Sequence, residues 1–160
     1  MTQAAQRRGR IAFLEDDDNH YRVLCRSLRR QIPELECVQY SSEREFMSAL
    51  VEMRRDPPDL FVVDMMVVAD RPQRNSTTSV IAQSDFFQAG ARCINVVQND
   101  VVLATVPVVV YSILSRPELV DDLSKLTRPV HLINKTEPFR EVATTIRTEF
   151  LDATGRKRRA

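Results

Sequence analysis

At 160 residues, 43% hydrophobic and 28% charged, the chain is long enough to bury one core and too short for two ordinary domains. A formal net charge of +1 gives no overall field for nucleic acid or an acidic partner, and no apolar stretch approaches the length of a membrane span. Cys25, Cys37 and Cys93 are odd in number and lack a C-x-x-C spacing, which predicts reduced core thiols in a cytoplasmic protein and argues against disulfides or zinc.

Residues 1–9 read as a basic tail with Arg7 and Arg8, and residues 152–160 as a second one with Arg156-Lys157-Arg158-Arg159. Between them the pattern alternates. A β-type run at 10–14 precedes Tyr21, Leu24, Cys25, Leu28 and Ile32, which recur at helical spacing until Pro33. Residues 35–40 predict a second strand. Ser42-x-x-Glu45 is a capping-box pattern, and Phe46, Ala49, Leu50 and Met53 give the following helix an apolar face. Asp56-Pro57-Pro58 breaks it before a strand at 59–63.

The stretch 69–89 reads mainly as loop around Arg71-Pro72 and Asn75 to Ser79, with Ser84 to Ala89 a candidate backward extension of the next helix. That helix spans 90–100, with Ile94, Val97 and Val101 expected to face inward. A strand at 106–111 leads to a second capping-box pattern, Ser115-Arg116-Pro117-Glu118, and a helix carrying Leu119, Leu123 and Leu126. A strand at 129–133 and a last helix, with Phe139, Val142, Ile146 and Phe150 on one face and its end at Leu151, complete the order. The third and fourth strands are near-continuous apolar runs, as both faces of a covered sheet require. Five β/α units predict a doubly wound α/β sandwich with a parallel sheet.

Polar residues stand where the buried strands end: Glu15-Asp16-Asp17-Asp18, Asp64, Ser112 and Lys135. Strand ends on one edge of a parallel sheet converge in space. Carboxylates, a hydroxyl and an amine gathered there suit a hard divalent cation and a phosphoryl group. Each residue also has a plainer reading: Asp18 as a helix cap, Lys135 as a partner for the acids, Ser112 as a turn residue.

In this order the motifs Phe-Leu-Glu-Asp-Asp-Asp-Asn, Asp-Leu-Phe-Val-Val-Asp-Met-Met, Val-Pro-Val-Val-Val-Tyr-Ser and Leu-Ile-Asn-Lys resemble the receiver domain of two-component response regulators, over residues 10–151. The resemblance implies a flavodoxin-like five-stranded sheet of order 2-1-3-4-5 flanked by five helices. It implies Asp64 as phosphoacceptor, with Ser112 and Lys135 contacting the phosphoryl group. Glu15, Asp16, Asp64 and the backbone carbonyl of Met66 would hold Mg2+ or Mn2+. It further implies a histidine kinase or histidine phosphotransfer protein as donor, a downstream protein target, and a switch in place of an enzyme with an outside product.

Several positions depart from the family pattern. The connection from Asp64 to Gly90 is about 18 residues longer than usual, well beyond ordinary βα loops. Val68 replaces a proline, and Thr136 follows the lysine where a proline in a cis peptide is usual; without proline such a bond costs about 3 kcal/mol. Ile113 is bulkier than the usual neighbour of the hydroxyl and is expected to crowd the phosphoryl group. Leu132, beside His131, stands where an aromatic switch is usual, and His20 reads as a surface residue of the first helix. These departures motivate an alternative, a phosphorylation-independent interaction module that uses the long insert. A haloacid-dehalogenase-like phosphohydrolase needs a second carboxylate two residues after Asp64, where Met66 stands.

Overall fold

The computed structural model describes residues 8–70 and 88–155. Most of the insert expected at 69–89, including Ser84 as a helix extension, lies outside the described residues, as do most residues of both basic ends. The elements run β1 (Arg10–Leu14), α1 (Asp18–Gln31), β2 (Glu36–Tyr40), α2 (Glu43–Arg55), β3 (Leu60–Val63), α3 (Ala89–Asn99), a 3-10 turn (Leu103–Thr105), β4 (Val108–Ser112), α4 (Arg116–Ser124), β5 (His131–Asn134) and α5 (Phe139–Thr154). The strands pair in the order β2-β1-β3-β4-β5, every pair parallel. This is the doubly wound α/β architecture that the sequence predicts.

The period-2 alternation of each strand divides the core into two layers. Ile11, Phe13, Leu60, Val62, Val109, Tyr111 and Ile133 face α1 and α5, which bury Leu24, Leu28, Ile146 and Phe150 against them. Ala12, Leu14, Phe61, Val63, Val108 and Val110 face the other way, onto Phe46 and Met53 of α2, Cys93, Ile94 and Val97 of α3, and Leu119 of α4. The three cysteines are buried and unpaired. Among the described residues no helix is long and apolar enough to cross a membrane.

Several local expectations need correction. Val101 was expected to face inward but is 97% exposed. The helix stops at Asn99 because Asp100 turns to an extended backbone (ψ 136°), and its carboxylate accepts from the N–H groups of Val102 and Leu103 at 2.9 and 3.1 Å. Leu126 lies beyond the end of α4, and α5 continues past Leu151 until Gly155 caps it with a left-handed backbone (φ 65°). At α2 the Ser42 hydroxyl accepts from the Glu45 N–H at 3.2 Å, but Glu45 reaches back to the Ser41 N–H and hydroxyl, both at 2.7 Å, so the capping box closes one residue early. At α4 the Glu118 carboxylate does accept from the Ser115 N–H, at 2.7 Å.

Two features bring the ends of the long insert onto α2. The Val68 and Ala69 carbonyls accept from the first α2 N–H groups, Glu43 at 3.1 Å and Arg44 at 3.0 Å, so Val68 occupies the usual proline position with its carbonyl engaged. On the far side, Arg92 of α3 makes a two-pronged ion pair with Glu43, both contacts at 2.6 Å.

Candidate functional site

The carboxyl ends of β1, β3 and β4 and the loop after β5 meet at one edge of the sheet. Glu15 follows β1 directly and is buried. The Glu15 N–H donates to the Tyr40 carbonyl at 3.0 Å, and the Gln39 amide donates to the Glu15 carbonyl at 2.9 Å. Asp17, with extended backbone, then caps α1 by accepting from the Asn19 and His20 N–H groups at 2.8 and 3.0 Å. The expected cap, Asp18, is already inside the helix, and its carboxylate accepts from the Gln39 amide at 3.0 Å.

Asp64 follows β3 directly, its N–H donating to the Leu14 carbonyl at 2.9 Å. Its Oδ1 accepts from the Met66 N–H at 3.0 Å and its Oδ2 from the Lys135 ammonium at 2.7 Å. Lys135 Nζ also stands 2.6 Å from Glu15 Oε2. The Lys135 side chain is 9% exposed, against 4% for Glu15 and 6% for Asp64, so this ion-pair triad is shielded from water. Asp16 completes the cluster: one carboxylate oxygen from each of Glu15, Asp16 and Asp64 lies within 4.8 Å of the others.

The electrostatics follow from crowding three carboxylates around one ammonium. Burial pushes the Glu15 carboxyl up to about 7, against the opposing pull of Lys135. Burial, together with the charge of Asp64, also raises Asp16. Burial alone would lower Lys135, but Asp64 and Glu15 outweigh it and hold the ammonium above its ordinary value. The acids outnumber the cation, an arrangement whose charge a hard divalent ion would balance.

Ser112, the last residue of β4, is fully buried, and its hydroxyl accepts from the Leu114 N–H at 3.3 Å. Its carbonyl accepts from the Lys135 N–H at 2.9 Å, which ties the β4 and β5 ends together. Met66 sits two residues past Asp64 and is held there by its N–H on the Asp64 carboxylate. Ile113 is 59% exposed. No cis peptide bond occurs among the described residues. The loop after Lys135 is fixed instead by the Asn134 amide oxygen, which accepts from the Thr136 N–H and hydroxyl at 2.8 and 2.7 Å. His131, exposed on β5, pairs with Glu149 of α5 at 3.1 Å.

Three residues escaped the sequence reading. In sequence Tyr111 is only the end of an apolar run, yet the Lys135 ammonium lies 5.3 Å from its ring centroid. His20 is half-buried and not on the open surface: its ring packs edge-on against Phe139 at 5.7 Å, because α5 covers that side of α1. In sequence Gly90 marks only a helix start, but a Cβ there would stand 2.5 Å from Met65 Cα. Only a residue without a side chain lets α3 approach the loop after Asp64 this closely.

No protein-family model and no curated protein matches the chain. Solved structures do. The phosphorylated cyanobacterial phytochrome response regulator RcpA aligns with a TM-score of 0.66 at 17% identity, over 92% of this chain and 95% of its own. The Mn(2+)-bound form of response regulator Rcp1 aligns with a TM-score of 0.60 at 14% identity, over 88% and 90%. A response regulator from Thermotoga maritima aligns with a TM-score of 0.60 at 14% identity, over 89% and 97%. Strand order, helix placement and nearly complete two-way coverage give this chain the fold of the response-regulator receiver domains.

Proposed function

We propose that the chain is a receiver-type switch that accepts a phosphoryl group on Asp64 with a divalent cation and thereby changes its binding to another protein. The observation that carries this reading is the cluster of Glu15, Asp16 and Asp64 closed by Lys135 at the carboxyl edge of the sheet. The donor set suits Mg2+ or Mn2+: all three side chains offer hard carboxylate oxygens, and the Met66 carbonyl is the candidate backbone ligand. That Rcp1 has a Mn(2+)-bound form supports the same class of ion. Bound there, the cation would neutralise charge on the transferring phosphoryl oxygens.

The remaining chemistry belongs to the protein. Asp64, held at both oxygens by Met66 and Lys135, attacks phosphorus through one carboxylate oxygen; the bond from phosphorus to the donor breaks, P–N in a phosphohistidine (the imidazole leaving) or P–O in acetyl phosphate (acetate leaving), and an aspartyl phosphate forms. Lys135 then transfers its contact from the carboxylate to a phosphoryl oxygen, and Ser112 releases the Leu114 N–H to donate its hydroxyl proton to another. That exchange moves the loop after β4, which links the chemistry to the α4/β5 surface. The donor is a histidine kinase or histidine phosphotransfer protein, and the output is a protein contact.

Intact mass after incubation with acetyl phosphate and Mg2+ tests the reading. A single phosphoryl adduct that requires the cation and disappears in Asp64→Ala is expected. No adduct on folded protein, with either acetyl phosphate or beryllofluoride, would favour a phosphorylation-independent interaction module.

A further inference from the structure

We propose that Tyr111 is a positioning residue for Lys135: the face of its ring seats the lysine ammonium and holds it between Glu15 and Asp64. The functional consequence rests on the phosphoacceptor reading above; the seat itself does not.

The alternation of β4 sends Val109 and Tyr111 toward α1 and α5, and Tyr111, next to the end of the strand, puts its ring at the sheet edge beside Lys135. Lys135 Nζ lies 5.3 Å from the ring centroid, inside the range of about 6 Å over which an aromatic face attracts a cation. The two carboxylates hold the same ammonium at 2.6 and 2.7 Å, so the ring supplies its apolar side. Water hardly reaches the arrangement: Tyr111 is 2% exposed, and desolvation strengthens a cation–ring contact.

The ring is itself fixed. His20 of α1 stands 6.5 Å from it, tilted by 45°, and is backed in turn by Phe139 of α5. The Tyr111 hydroxyl is buried and has no hydrogen-bond partner among the described residues, so it anchors neither the ring nor the lysine. The face of the ring therefore carries the effect, and phenylalanine should replace tyrosine. Lysine is long and rotamer-rich, and without the ring only the two carboxylates would restrain its ammonium. A fixed ring confines it to the side where the carboxylates, and an incoming phosphoryl oxygen, can meet it.

The test combines NMR of the Lys135 side chain with rates of phosphorylation by acetyl phosphate and Mg2+. In the wild type the Lys135 Cε protons are expected upfield of an ordinary lysine because they lie near the ring. Tyr111→Phe should keep that shift and a rate within about twofold, whereas Tyr111→Leu should lose the shift and react about fivefold to tenfold more slowly. In a Lys135→Met background, Tyr111→Leu should cause no further slowing, which a merely structural role would not predict. Unshifted Lys135 protons in the wild type, an unslowed Tyr111→Leu, or equal slowing in both backgrounds would overturn the proposal. If Tyr111→Leu does not fold, the shift in the wild type and in Tyr111→Phe decides. A wild type that takes up no phosphoryl group would sink the phosphoacceptor reading, and the NMR shift would still decide the seat.

Discussion

Gly90 and Asp64 are in backbone contact: a Cβ on Gly90 would intrude on the Asp64 carbonyl oxygen and stand 2.5 Å from Met65 Cα. The contact is with backbone, which cannot rotate away as a side chain would. Gly90→Ala should therefore cost about 1–3 kcal/mol, the usual range for overpacking, despite the better helix propensity of alanine. Urea denaturation checks this, and an unchanged midpoint would show that α3 shifts freely from the Asp64 loop.

Lys135 is the only cation placed on Glu15 and Asp64 among the described residues. Lys135→Met should leave buried carboxylates facing each other and cost about 3–5 kcal/mol at neutral pH without divalent cation. Added Mg2+ should recover much of that loss by binding the folded cluster. Thermal melts with and without Mg2+, with Asp16→Ala as the variant weakened in cation binding, measure it.

The Arg92–Glu43 pair ties α3, which follows the insert, to α2, but the Arg92 side chain is 40% exposed, so solvent screens the pair. A double-mutant cycle of Glu43→Gln and Arg92→Gln should give a coupling of about 0.5–1 kcal/mol that weakens with salt. A coupling near zero at low salt would remove the pair as a clamp.

Asp100 accepts from Arg54 Nε at 2.6 Å and from the Leu103 and Val102 N–H groups, and these bonds hold its carboxyl below the ordinary 3.8. A lowered folded value means that the unfolded chain binds the proton first as pH falls. The contribution of Asp100 is therefore complete above its unfolded value and disappears as pH drops through the lower folded one. The wild type should lose more stability than Asp100→Asn on acidification through that window, as read by urea midpoints at successive pH values. Parallel acid curves would contradict it.

The fold was legible because its signals are local. Apolar runs such as Leu60–Val63 end in one polar residue, and buried parallel strands read as unbroken apolar segments. Glu15, Asp64 and Ser112 could each be singled out as the first polar residue at or after a strand end, and Lys135 as the charged residue just behind Asn134. What stayed hidden depends on contacts between distant segments. Tyr111 looks like one more strand residue until β5 brings Lys135 onto its ring. The need for glycine at position 90 appears only when α3 meets the loop after β3. Val101 continues an apolar spacing, and only the Asp100 side chain, bonded ahead to Val102 and Leu103, shows that the helix has ended. Asp17 and Asp18 are the same residue type in adjacent places, and backbone geometry alone decides which one caps.

The most direct test of the central claim is to locate the acyl phosphate. After reaction with acetyl phosphate and Mg2+, borohydride reduction converts an aspartyl phosphate to homoserine, which peptide mass spectrometry can place. Homoserine at position 64, absent when Mg2+ is withheld, is the predicted result. Homoserine at Asp16 or another acid, or none on folded protein, would contradict the account.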